Sequence, residues 1–251
     1  MDLGIEGRTV IVTGATGGLG RHIVRGFADE GADVVIGYHG AAADAERMAK
    51  EIGEHALPVR YDMGDPDAAQ RLVETVTEWS GRVDVLVNNA VYWGADAPSP
   101  DSRFESVPED RWTGVVRLNI EGALRLSRAV APIMRQRGWG RMVHISSSIA
   151  TDGAAGAEYY AAAKAALHGF SRSAAFSLGR DGDVLSNVVM PGLTRTDTNT
   201  GIVEAAGEHY SALAALGRLL DAREVALPVV YLGSAANTGI TGAVVAVTGG
   251  T

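Results

Sequence analysis

The sequence TVIVTGATGGLG, residues 9–20, runs from a β-branched segment straight into a glycine-rich turn. The near-continuous Val/Ile character of its first half suits a strand buried on both faces of a sheet. Glycine lets the backbone turn sharply and come close to a pyrophosphate. GRHIVRGFADEG, residues 20–31, then reads as a helix. Its first turn offers free N–H groups and the positive end of the helix dipole to phosphates. The spacing is Gly14-x-x-x-Gly18-x-Gly20, which departs from the strict G-x-G-x-x-G pattern. A merely tight strand–helix turn would use the same glycines, so the rest of the chain decides between the two.

Outward from this unit the same alternation repeats. DVVIGY (33–38) reads as a second strand, with a helix in AAADAERMAKEIG (41–53). A third strand lies in HALPVRYDM (55–63), a helix in DAAQRLVETVTEWSG (67–81) and a fourth strand in VDVLVNNA (83–90). Residues 91–110, rich in Pro, Ser and Asp, read as a loop, and a long helix is expected over 111–137. GRMVHISSS (140–148) reads as a fifth strand, followed by a helix around EYYAAAKAAL (158–167). VLSNVVMPG (184–192) gives a sixth strand. A polar, glycine-containing stretch, the helix AREVALPVVYLGS (222–234) and the strand AVVAVTGG (243–250) complete the chain. Alternating strands and helices imply right-handed βαβ units. The expected fold is α/β: a doubly wound, parallel, seven-stranded sheet with helices on both faces, in one domain over residues 1–251.

Composition narrows the function. The 251 residues are 46% hydrophobic and carry a net charge of -8, which disfavours nucleic acid or an anionic membrane as the main partner. With no cysteine there is no disulfide or thiolate metal site, and the six histidines show no metal-ligand spacing. The first strand begins too early for a signal peptide to precede it, and no apolar run approaches the roughly 20 residues that span a bilayer. A soluble, cytoplasmic protein is expected.

The chemistry lies in EYYAAAKAAL, where Tyr160 and Lys164 are four residues apart. On a helix they face the same way, one turn apart. A tyrosine with a pKa of about 10 is a poor acid at neutral pH, and a nearby ammonium favours its phenolate. Tyr159 has only Ala163 at the equivalent position. Three serines, Ser146, Ser147 and Ser148, lie upstream at the carboxyl end of a strand, where open α/β sheets bind ligands. Strand alternation prevents all three from pointing into one site.

Taken with the glycine turn, these features resemble the short-chain dehydrogenase/reductase family over nearly the whole chain. The closest subfamily resemblance is to 3-oxoacyl-carrier-protein reductases and related ketoreductases. It implies a Rossmann-like fold and a catalytic set of Asn119, Ser147, Tyr160 and Lys164. The family's spacing selects Ser147 among the serines. Tyr160 would protonate the carbonyl oxygen as general acid, and Ser147 would hydrogen-bond that oxygen. Lys164 would lower the tyrosine pKa and bind the nicotinamide ribose, while Asn119 would hold a helix distortion and a relay water. Cofactor contacts are implied for Gly14, Thr16, Gly17, Gly18, Leu19 and Gly20 in the turn, and for Asp62 and Met63 after the third strand. Asn89 and Ala90 belong to the segment resembling N-N-A-G. Pro191, Gly192, Thr194 and Thr196 belong to the P-G segment beside the nicotinamide. A substrate lid is implied around residues 193–215, and a homotetramer or homodimer is expected. His144, on a core strand, reads as a packed histidine.

Tyr38, followed by His39, stands where an NAD-type enzyme carries the carboxylate that bonds the ribose 2′-hydroxyl. NADP(H) is therefore favoured over NAD(H), although Gly17 stands where many NADP-dependent relatives carry a cation. Val91 replaces the last glycine of N-N-A-G. The aromatic pair after it, Tyr92 and Trp93, is a candidate wall for a ring-bearing or apolar substrate, with Ser148, Tyr210 and His209 as further candidates. The leading expectation is hydride transfer between a nicotinamide and a small-molecule ketone or secondary alcohol. Epimerase, dehydratase or imine reductase chemistry on the same fold is the alternative, as is a cofactor-sensing regulator.

Overall fold

The structure, a computed structural model, describes residues 2–94, 103–180 and 182–251. Its strands are β1 (Thr9–Thr13), β2 (Asp33–Tyr38), β3 (Ala56–Arg60), β4 (Val85–Asn88), β5 (Trp139–Ile145), β6 (Asp183–Pro191), β7 (Thr194–Arg195), β8 (Leu220–Asp221) and β9 (Val244–Val247). Its helices are α1 (Gly20–Asp29), α2 (Ala42–Ile52), α3 (Ala68–Ser80), α4 (Glu109–Arg137), α5 (Ile149–Asp152), α6 (Glu158–Leu178), α7 (Thr200–Leu213) and α8 (Ala222–Leu232).

Seven strands form one parallel sheet in the order β3-β2-β1-β4-β5-β6-β9. The chain builds outward from β1 to β3 and then returns to the other side of β1 with β4. That reversal opens a crevice at the carboxyl ends of β1 and β4, where this architecture binds ligands. Alternation along β1 sends Val10 and Val12 to one face and Ile11 to the other. The first face packs against Ile23 and Phe27 of α1 and Val225 and Val229 of α8. The second packs against Leu72 and Val76 of α3 and Leu126 and Val130 of α4. Each fully buried aliphatic chain contributes about 1.5–3 kcal/mol, so this double burial fixes the order of the sheet. Among the described residues no helix is long and apolar enough to cross a membrane.

Arg141 and His144 are among the polar residues buried in this core. Arg141 on β5 is fully buried, and its guanidinium donates to the carbonyls of Gly140, Asp183, Ser234 and Asn237 and to the Asp183 carboxylate. It thereby ties β5 to the start of β6 and to the loop after α8. His144 is also fully buried, with Nδ1 at 3.1 Å from Asn88 Nδ2 and Nε2 at 3.4 Å from Ser186 Oγ. The Asn88 amide donates to Nδ1, so the proton sits on Nε2, and a second ring proton would face another donor. Burial, with the Lys164 charge behind it, pushes this imidazole down to about 4 from 6.5. Between those values the unfolded chain binds a proton that the folded protein refuses, so stability falls as pH drops through that window. The loss is about 3 kcal/mol when complete. Urea midpoints followed from pH 7 to 4 should show it, with a shallower decline in His144→Gln. Parallel curves for the two proteins would rule it out.

The structure corrects several local expectations. The loop expected over 91–110 holds a 3-10 turn at Phe104–Ser106, and α4 begins at Glu109 rather than 111 because Pro108 ends the extended segment. Residues 95–102 of that loop lie outside the described residues. Strand β5 stops at Ile145, so Ser147 and Ser148 belong to the turn into the one-turn helix α5. The polar stretch read over 198–213 is a helix, α7. β7 and β8 pair as a small parallel ribbon that anchors its two ends.

Candidate active site

The turn after β5 and the first turns of α6 bring the central residues together. Ala161, Ala162 and Ala163 separate Tyr160 from Lys164, and both are buried on one helix face, 6% and 3% exposed. Ser147 stands beside the Tyr160 phenol, near enough to pull its pKa down, and its hydroxyl accepts from Ile149 N at 3.4 Å. Ser146 is turned away, with its hydroxyl on the Lys164 carbonyl and 2.8 Å from His168 Nε2. Ser148 donates its amide to Pro191 O, which joins this turn to the end of β6. Tyr159 faces elsewhere, its hydroxyl on Phe104 O and its ring stacked on Trp112.

The electrostatics differ from the simple lysine–tyrosine pairing. Lys164 Nζ donates to Ile145 O at 2.9 Å and lies 5.7 Å from the centre of the Tyr160 ring. Burial pushes the lysine down to about 8. Burial also holds the Tyr160 phenol above its usual range, and only the neighbouring Ser147 hydroxyl pulls the other way. The expected lowering of the tyrosine by Lys164 is therefore absent in this arrangement. Desolvation of the phenolate outweighs an ammonium spent on a backbone carbonyl.

Helix α4 is continuous through Asn119. The Asn119 side chain clamps Tyr92, donating to Tyr92 O at 2.7 Å and accepting from Tyr92 N at 3.1 Å. A third bond, to Val115 O, locks the amide in place. Beside it lies a cavity of about 10 Å³ lined in part by Thr13, Asn88, Asn119 and Lys164. That is room for about one water among polar partners.

The glycine turn fits a pyrophosphate. Gly14 has φ +61°, and a Cβ there would lie 2.8 Å from Ala90 Cα. The amides of Asn89 and Ala90 both donate to Thr13 Oγ1, and the Asn89 side chain bonds the carbonyls of Thr13 and Gly14. These two residues thus brace the turn. Gly17 is exposed at its outer edge, its amide turned back on Gly14 O. The amides of Gly18, Leu19 and Gly20 make no hydrogen bond among the described residues, and they head α1. This is an anion cradle. A Cβ on Gly18 would lie 2.5 Å from Thr196 and 2.6 Å from the Thr198 hydroxyl.

The segment after β6 is tied down over this turn. Thr194 bonds Gly192 O, and Asn199 bridges Thr194 O and Thr196 N. Arg21 binds Thr16 O and ion-pairs with Asp197. Asn199 and the Arg21–Asp197 pair were not singled out from sequence; the repeat TRTDTNT (194–200) is the signal that points to them. At the other end of the crevice His39 lies 3.3 Å from Asp62, whose carboxylate also accepts from Gly64 N. Met63 lies against Gly122 of α4. Arg60, exposed at the end of β3, is the register partner of Tyr38.

Of the candidate substrate residues, Trp93 is brought onto the site, its ring 4.3 Å from that of Tyr160. Tyr92 is held beside it. Tyr210 lies on α7 with its ring against His209, and no hydrogen bond or ring contact links it to Tyr160 among the described residues.

A family model for enoyl-(acyl carrier protein) reductase matches residues 14–251. L-rhamnose 1-dehydrogenase (NAD(P)(+)) of a Sphingomonas species is 35% identical, with 98% of this chain and 96% of that protein covered. The 3-oxoacyl-[acyl-carrier-protein] reductase of Pseudomonas aeruginosa is 34% identical over 99% of this chain and 98% of its own. The chain belongs to the short-chain dehydrogenase/reductase family. As such it is an oxidoreductase, and solved structures of this family share its fold. A short-chain dehydrogenase/reductase of Brucella melitensis, described as a glucose/ribitol dehydrogenase, superimposes with a TM-score of 0.88 at 26% identity, covering 100% of this chain and 98% of the other. A second family member gives 0.83 at 35% identity with the same coverage.

Proposed function

We propose that this short-chain dehydrogenase/reductase is an NADP-dependent carbonyl reductase acting reversibly on a ketone and its secondary alcohol. The observation that carries this reading is the constellation of buried Tyr160 and Lys164 with half-buried Ser147 at the carboxyl end of the sheet, beside a free-amide cradle. The whole chain then acts as one dinucleotide-binding and catalytic unit, with residues 193–215 as its lid. A cytoplasmic homotetramer or homodimer with a small-molecule substrate is its expected setting.

The cofactor's pyrophosphate would be held by the amides of Gly18, Leu19 and Gly20, its adenine by Asp62 and its ribose by Lys164. When bound, the nicotinamide supplies the hydride and, in its oxidised form, a positive charge that favours the phenolate. Tyr160 gives its proton to the substrate oxygen, and Ser147 holds that oxygen by donating a hydrogen bond. Lys164 keeps a positive charge against the site. The small cavity between Asn119 and Lys164 offers one water a place on the route by which Tyr160 regains its proton.

NADP is favoured because β2 ends in Tyr38 rather than a carboxylate, and Asp62 is engaged by His39. The exposed guanidinium of Arg60, on the strand beside Tyr38, supplies the cation a 2′-phosphate needs. Charge-assisted hydrogen bonds of about 1.5–3 kcal/mol predict a kcat/KM at least about tenfold higher with NADPH than with NADH. Steady-state assays with both cofactors and a common ketone test this. Equal or reversed values would exclude the NADP assignment.

A further inference from the structure

Trp93 lies on the one ring that the proposed chemistry needs, and its geometry says more than that it lines a pocket. Its indole is stacked on Tyr160 with centroids 4.3 Å apart and planes 23° from parallel. One face of the indole is therefore committed to Tyr160. The residue nevertheless remains 49% exposed.

The position is held from behind. Asn119 grips Tyr92 through both its N–H and its carbonyl. The Tyr92 ring lies over Gly114 on α4. Trp93 thus follows a residue held against helix α4 at two points.

Resting on the reductase reading above, we propose that Trp93 is the specificity-determining wall of the site and selects a ring-bearing, apolar carbonyl substrate. The substrate ring stacks on the free face or edge of the indole, with its carbonyl extending past it toward the hydroxyls of Tyr160 and Ser147. Aromatic pairs gain from offset stacking beyond what the buried area supplies, whereas a straight alkyl chain gains only the area. The expected discrimination between an aryl and an alkyl ketone of equal carbon count is about tenfold.

The test uses the full chain with NADPH and the pair acetophenone and methyl hexyl ketone. The wild type should prefer acetophenone in kcat/KM. Trp93→Leu keeps an apolar side chain but removes the stacking face, and should lose about tenfold of that preference. Trp93→Phe should keep most of it. An unchanged ratio in Trp93→Leu, or equal losses on both ketones, overturns the proposal while leaving the reductase reading intact. If the wild type oxidises NADPH with neither ketone, the reductase reading fails by itself. The stacking claim is then decided by calorimetric titration of acetophenone into the NADPH complex. Binding weakened in Trp93→Leu and retained in Trp93→Phe supports it; no binding to wild type, or equal binding to all three, overturns it.

Discussion

Replacing Tyr160 by Phe should lower kcat for ketone reduction by about 10²–10⁴-fold and leave NADPH affinity within about twofold. The substitution removes one hydroxyl from a ring that is 6% exposed and stacked on Trp93, so packing is conserved. What disappears is the proton donor beside Ser147. Rapid-quench turnover and fluorescence titration of NADPH separate the two effects. A variant that keeps more than about a third of wild-type kcat would remove Tyr160 from the proton-transfer step. A Ser147→Ala variant should fall less far, since it loses a hydrogen bond to the oxygen and keeps the acid.

Arg141→Ala should cost about 3–5 kcal/mol of stability. The guanidinium is fully buried and donates 2.7–3.2 Å hydrogen bonds to four carbonyls as well as to Asp183. It also lies 4.3 Å over the Trp139 ring. Removal leaves a cavity and several buried acceptors without donors. The Asp183 carboxylate is 46% exposed and stays hydrated, so the loss comes from the carbonyls and the void rather than from an orphaned charge. Urea unfolding should show a lower midpoint at unchanged slope. A shift worth less than about 1 kcal/mol would mean that this network relaxes or fills with water.

The parts of the fold that were legible in the sequence are those set by local pattern. The Val/Ile runs of β1, β2 and β4 and the glycine turn follow from short-range periodicity and backbone freedom, and the parallel, doubly wound sheet follows from the βαβ alternation. Tyr160 and Lys164 were legible because helical spacing alone places them on one face. The misread parts depend on contacts between residues distant in the chain. Helix α7 looks like a polar stretch because Gly201 and Gly207 weaken it and Asn199 spends its side chain on Thr194 and Thr196 instead of on the helix. The pairing of β7 with β8, the clamp of Asn119 on Tyr92 and the stack of Trp93 on Tyr160 have no local signature. Nor does the extent of burial, which is why the sequence suggests a tyrosine lowered by its lysine while the structure shows one raised by desolvation.

The central claim is that Tyr160, Ser147 and Lys164 assemble a site for hydride transfer to a carbonyl. The most direct measurement is mass spectrometry of the alcohol formed from acetophenone and methyl hexyl ketone with NADPH deuterated at the transferable ring position. The wild type should place one deuterium on the carbinol carbon, and Tyr160→Phe should do so at a rate lower by about 10²–10⁴-fold. Tight NADPH binding with no deuterium reaching either ketone would contradict the account.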